Sequence, residues 1–266
     1  MAKRIELEDV SLSYEDRGPQ APEAVVFVHG LGGSAYSWWP QLAACEAQAR
    51  RAVAYDQRAA GLSSKPPGPY SVELWTQDLK RVLDGLGIER AALVGHSVGC
   101  MVAEHAAVRL GDRAVGLVLV GGAIRWRPEA GAVFEERVRL ARAGRMDEIA
   151  AAVAQTGLSE RCRAENPALD GLFRELIASN EPQAYADWAA ATASAEMVEL
   201  ERVPCPALAM CGELDPVTAP DFAQAIAAEI PDARTAVIEA AAHWCQLEAP
   251  DAVNDALLGF LAGLAT

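Results

Sequence analysis

The 266-residue chain carries 37 acidic against 23 basic residues, a formal charge of −14, and 52% of its residues are hydrophobic. That balance excludes an electrostatic nucleic-acid binder, which would concentrate Lys and Arg on one face. A membrane span is excluded as well, since no run of about 18 apolar residues is free of charge.

In chain order, "MAKRIELEDVSLSYEDRG" passes at once into charged, alternating sequence, and a strand is expected over "RIELEDVSLSYE". The apolar centre and cleavage site of a secretory signal are missing there, so a cytoplasmic location is expected. Further strands are expected at "AVVFVH", "RAVAYD", "AALVGH", "AVGLVLVGG", "PALAMCG" and "RTAVIEA". Several are unbroken Val, Ala and Leu runs, the pattern of central parallel strands covered on both faces. Helical stretches lie between them. Residues 71–86, "SVELWTQDLKRVLDGL", open on a Ser cap and close at glycine; 219–229 and 249–263 read as helices too. The fold class is therefore α/β, a mostly parallel sheet with helices on both faces.

From Ile124 to Arg202 the rhythm breaks, and Ala-, Glu- and Arg-rich helical segments alternate with short Gly, Pro and Asn interruptions. Residues 1–123 and 203–266 are expected to form the core, and 124–202 a helical lid inserted at the carboxyl edge of the sheet, where open α/β folds bind ligands. The six cysteines are scattered among apolar neighbours without a C-x-x-C pair, which favours buried thiols over disulfides or a metal site.

Gly95-His96-Ser97-Val98-Gly99 fits G-x-S-x-G between a predicted strand and a predicted helix. In that setting the serine occupies a sharp turn whose flanking glycines let backbones approach closely. A serine hydroxyl is a weak nucleophile without a base. Of the four histidines, His243 follows the last predicted strand, and Asp215 follows the strand before it as the carboxylate that would orient His243. The order Ser97, Asp215, His243 is that of one serine hydrolase fold and of no other common one. Backbone N–H groups of Val98, after the serine, and of Leu31, in "HGLGG", are placed to form an oxyanion hole. Glu213 and Glu248 are weaker candidates for the acid, Glu248 reading as a solvated or helix-capping group. His29, His96, His105, Cys100 and Arg58 read as structural. Trp126 and Trp244 are candidate pocket walls, and Arg125 is a candidate partner for a substrate carboxylate.

With these motifs the chain resembles the α/β-hydrolase fold enzymes over essentially its whole length. "AYDQRAAGLSS", "CPALAMCGELDPVTAPDFAQAIAAEIPDA" and "IEAAAHWCQLEAPDAVNDALLGFL" are similar to the 3-oxoadipate enol-lactonase group. Two departures stand out: Ala59-Ala60 replaces the Gly-His of that group's D-Q-R-G-H-G loop, and Cys100 replaces a glycine after the serine. The resemblance implies a serine hydrolase acting on a small ester or lactone through an acyl-enzyme, with no cofactor and no metal. Alternatives on the same triad are a carbon–carbon bond hydrolase, a cofactor-free perhydrolase and a ligand receptor with little turnover. Oligomeric state is not legible in the sequence.

Overall fold

The computed structural model describes residues 3–125 and 127–264. Its described strands are β1 (Lys3–Glu6), β2 (Ser11–Arg17), β3 (Glu23–Val28), β4 (Ala52–Tyr55), β5 (Arg90–His96), β6 (Ala114–Val120), β7 (Ala207–Gly212) and β8 (Ala233–Ile238). They form a single sheet in the order β1-β2-β4-β3-β5-β6-β7-β8. The β1/β2 and β2/β4 pairs are antiparallel and all others parallel. The opening run expected as one strand is two, because the Leu7 N–H donates to the Val10 carbonyl at 2.9 Å and closes a turn between them.

Side chains on a strand alternate between faces, so an apolar strand buried on both sides feeds two cores. Val26, Val28, Leu93, Leu117 and Leu119 join one cluster, while Val25, Phe27, Val94, Val118 and Val120 join the other. Helices α1 (Trp39–Ala47), α2 (Val72–Gly85) and α3 (Val98–Leu110) divide between these faces. Ser71 caps α2, accepting from the Leu74 N–H at 3.1 Å, and Trp75, Leu79, Val82 and Leu83 form its buried stripe. Helix α3 is buried almost all round, its Gly99, Ala103, Ala106 and Ala107 allowing close approach to the sheet.

Between β6 and β7 the described residues form helices and no strand: α4 (Ala130–Arg142), α5 (Met146–Gly157), α6 (Glu160–Glu165), α7 (Pro167–Ala178) and α8 (Pro182–Ala193). Here α4 packs on α8 and α5 on α7. The chain then returns through α9 (Pro220–Glu229), α10 (Cys245–Glu248) and α11 (Pro250–Ala262), the last lying against α1 on the far face. Among the described residues no helix is long and apolar enough to cross a membrane.

Candidate active site

Strand β5 ends at His96 and α3 begins at Val98, leaving Ser97 alone to make the turn. Ser97 holds φ 52° and ψ −119°, a strained conformation for a residue with a β-carbon, costing roughly 1–3 kcal/mol. The surrounding packing imposes it. A β-carbon on Gly95 would lie 2.5 Å from the Gly99 carbonyl oxygen, and one on Gly99 would lie 2.3 Å from that of Val28. The turn therefore closes only with glycine at both positions, and the Ser97 N–H donates to the Val120 carbonyl at 2.9 Å to pin it to the sheet. Ser97 is half-buried while its neighbours are buried, so the hydroxyl is the group this turn presents.

Asp215 and His243 come from the loops after β7 and β8. The His243 Nδ1–H donates to Asp215 Oδ2 at 2.8 Å, which fixes the tautomer and leaves Nε2 unprotonated. Asp215 also accepts from the Val217 and Thr218 N–H groups at 2.7 and 2.9 Å and from the Thr218 hydroxyl at 2.8 Å. Burial alone would raise its carboxyl. The charge of His243 and the hydrogen bonds from His243 and Thr218 outweigh burial and hold it at about 2. Asp215 is thus an anion at neutral pH.

Ser97 and His243 line one cavity, together with Leu31, Val98 and Trp244. The free space open to the centres of water molecules is about 60 Å³, room for a small acyl group or a handful of waters. Among the described residues Ser97 Oγ makes no hydrogen bond to His243; such contacts commonly tighten only when substrate is bound. The N–H groups of Leu31 and Val98 take part in no turn or loop hydrogen bond among the described residues, so both remain available to a ligand.

Comparison with known proteins adds to this geometry. The sequence model of the alpha/beta hydrolase fold family matches residues 23–250. The chain belongs to that family. It is similar to the carbamate hydrolase RutD of Azorhizobium caulinodans, 29% identical over 263 residues and covering 95% of each chain. It is also similar to 3-oxoadipate enol-lactonase 2 of Acinetobacter baylyi, 28% identical over 251 residues, 94% of this chain and 92% of that one. Among solved structures, the enol-lactonase from Burkholderia xenovorans LB400 superposes with a TM-score of 0.91 at 28% identity, over 98% of this chain and 100% of that one. These relatives support hydrolytic activity on a small molecule.

Within this α/β-hydrolase the remaining residues singled out in the sequence have definite places. His29 accepts the Gln57 N–H at 3.1 Å through Nε2 and donates through Nδ1 to the Gly30 carbonyl at 2.8 Å, bracing the "HGLGG" loop. His96 lies beneath the site and its Nε2–H donates to the His243 carbonyl at 3.1 Å. Burial and then the nearby charge of His243 push His96 well below the usual imidazole range, so it stays neutral. Cys100 is fully buried, its thiol donating to the Val120 carbonyl at 3.4 Å. Burial raises that thiol well above its usual range, which removes it as a competing nucleophile. His105 donates to the Glu196 carbonyl at 3.1 Å, and Glu213 accepts the Ala240 N–H at 2.9 Å. Arg58 forms a buried pair with Asp78 at 2.5 Å. Arg125 is exposed and is not among the residues lining the cavity, and Trp126 lies outside the described residues.

Three participants were not singled out for the roles they have. Thr218 both bonds Asp215 and comes within 3.3 Å of His243 Nδ1; its signal is a hydroxyl three residues after an aspartate in a turn. Arg137 of α4 lines the cavity. Glu248 is neither solvated nor a simple cap: Oε2 accepts the Ala242 N–H at 2.9 Å and the Ser159 N–H at 3.1 Å, while the Ser159 hydroxyl donates to Oε1. It ties the inserted helices to the loop that carries His243. The Trp244 N–H, which donates to the Gly157 carbonyl at 2.8 Å, makes a second tie beside it.

Proposed function

We propose that the chain is a serine hydrolase that cleaves a small carboxylic ester or lactone. The observation that carries this reading is the convergence of a strained, glycine-hemmed Ser97 with the Asp215–His243 pair on one cavity. In the first step Ser97 Oγ attacks the carbonyl carbon while His243 Nε2 takes the hydroxyl proton. The negative charge that develops on the carbonyl oxygen is met by the Leu31 and Val98 N–H groups, and the positive dipole end of α3 adds to them. The tetrahedral intermediate then collapses, the leaving oxygen takes the proton from His243, and an acyl-Ser97 ester remains. A water molecule gives its proton to His243, attacks that ester and releases the acid, and the proton returns to Ser97. Asp215, anionic throughout, stabilises each imidazolium that forms.

The lactonases among the relatives support a lactone as one form of the substrate, in which the leaving oxygen stays tethered to the acyl chain. The inserted helices act as the lid, and the small cavity beneath them selects short acyl groups. The test is hydrolysis of p-nitrophenyl acetate and of p-nitrophenyl esters of increasing chain length. Hydrolysis is expected to be fastest for the shortest chains and to fall by about 10⁴ or more in Ser97→Ala. A protein that turned over none of these esters and did not react with a fluorophosphonate probe would refute the reading.

A further inference from the structure

His96 touches the nucleophile, the oxyanion loop and the base. It ends β5 and immediately precedes Ser97. A β-carbon on Gly30, beside Leu31, would lie 3.1 Å from His96 Nδ1 and 2.9 Å from the His96 carbonyl oxygen, so the oxyanion loop rests directly on this residue. The His96 ring lies 4.9 Å from the His243 ring and 4.5 Å from that of Trp244, centroid to centroid, and Trp38 stands nearly perpendicular to it at 6.4 Å. All of it is buried. Its Nδ1 has no hydrogen-bond partner, and the ring's bond runs from Nε2–H to the His243 carbonyl. A buried imidazole with one nitrogen unpaired is less stable there than an apolar side chain of the same shape would be. Packing alone therefore does not account for a histidine at this position; the bond to His243 is what the ring adds.

We propose that His96 is a positioning residue: by holding the main-chain carbonyl of His243 from below, it fixes where the base points its Nε2. This deepens the hydrolase reading and rests on it. Two fixed points set the pose of the His243 imidazole. One is Asp215, which accepts from Nδ1–H at 2.8 Å, and the other is the main chain. Among the described residues that main chain makes two hydrogen bonds, a long one from its N–H to the Thr156 carbonyl at 3.5 Å and the shorter one from His96 at 3.1 Å. Without the His96 bond the ring can pivot about Asp215, and the swing is greatest at Nε2, the ring nitrogen away from that pivot. A misplacement of about 1 Å at the reacting atoms can cost on the order of 10² in rate. The role also needs a neutral His96, because a second imidazolium beside His243 would oppose the one that forms in the reaction. Burial does most to keep it neutral, followed by the charge of His243; of the other titratable groups around it, His29 acts in the same direction and Asp215 against.

The test takes the ratio of kcat/KM for p-nitrophenyl acetate to that for ethyl acetate, which cancels any loss of folded protein. Nitrophenolate leaves without a proton whereas ethoxide must take one from His243, so a misplaced base penalises the ethyl ester more. His96→Phe keeps a ring and removes the donor. Its kcat for ethyl acetate is expected to fall about 10²-fold with KM little changed, and the ratio to rise about tenfold. His96→Gln, whose side-chain amide can reach toward the same carbonyl, is expected to restore most of both. A ratio that His96→Phe leaves unchanged, or a loss in His96→Gln as large as in His96→Phe, would overturn the proposal. Wild-type protein offers a check that needs no variant: nitrogen-15 NMR of the histidines is expected to show His96 as the neutral Nε2–H form from about pH 6 to 9. A His96 that titrates in that range, or carries its proton on Nδ1, would overturn the proposal and leave the hydrolase reading standing. Wild-type protein that hydrolyses neither ester and takes no fluorophosphonate label would overturn both.

Discussion

The floor and the roof of the cavity are built on different principles. Below, Ser97, Asp215 and His243 sit at the carboxyl ends of parallel strands, and backbone packing tight enough to exclude a single β-carbon fixes them. Above, five helices share an apolar cluster with the floor, Phe173 packing on Trp244 and Trp188 on Trp75, and are also joined to it by separable polar ties: Glu248 to Ser159, Trp244 to Gly157, the Asn180 amide to the Gly32 carbonyl at 3.0 Å, and the Trp188 indole to the Arg58 carbonyl at 3.1 Å. A floor held by sterics tolerates almost no change and so keeps one chemistry. A roof held by side-chain packing and single hydrogen bonds can be rebuilt residue by residue, which is where substrate choice can vary.

The largest expected effect breaks the floor. Gly99→Ala places a methyl group 2.3 Å from the Val28 carbonyl oxygen and 2.6 Å from that of His29, contacts that only backbone movement relieves. A loss of roughly 3 kcal/mol or more is expected, read as a lowered midpoint in urea unfolding, together with loss of esterase activity in whatever protein stays folded. Breaking a roof tie should do less. Glu248→Ala strands the Ala242 and Ser159 donors and is expected to cost about 2 kcal/mol in stability, with kcat/KM falling further than the stability loss explains, because the His243 loop is released from the inserted helices. Trp188→Phe removes one indole hydrogen bond and part of a buried ring packed on Trp75, and should cost about 1–2 kcal/mol with a smaller effect on esterase kinetics than Glu248→Ala.

Acid and base separate the regions in a further way. Asp215, held at about 2, contributes stability that is fully present above the unfolded carboxyl range near pH 4 and is lost only as pH falls through 2. Glu104 has the opposite sign. Buried in α3 with Oε1 unpartnered, it is pushed up to about 8 by burial, so between roughly pH 4.5 and 8 the folded chain holds a proton that the unfolded chain has released. Stability should therefore fall as pH rises through that window, by up to about 1.4 kcal/mol per pH unit, and Glu104→Gln should flatten the slope of Tm against pH.

The contrast also explains what could be read from the sequence. The floor depends on local rules, a glycine-flanked serine after an apolar strand and a histidine and an aspartate each following a later strand, so Ser97, Asp215, His243, Leu31 and Val98 could be chosen and the structure brings them together. Sheet membership followed from unbroken Val and Leu runs for the same reason; only the turn at Leu7–Val10 went unseen, because both its flanks alternate in strand fashion. The roof obeys no local rule. Helical periodicity marks an apolar face on α4 but not which residue of it overhangs Ser97, so Arg125 was chosen where Arg137 lines the cavity. Glu248 looks like any acidic residue near a helix, and its partner Ser159 is 89 positions away.

The central claim is that Ser97 becomes covalently acylated. Rapid acid quenching during p-nitrophenyl acetate turnover, followed by mass spectrometry of the digested protein, addresses it directly. One acetyl group on the peptide containing Ser97, absent from Ser97→Ala and persisting longer in His243→Ala once formed, is the result expected. Turnover that continues with no modified Ser97, or an acyl group carried by another residue such as Cys100, would contradict it.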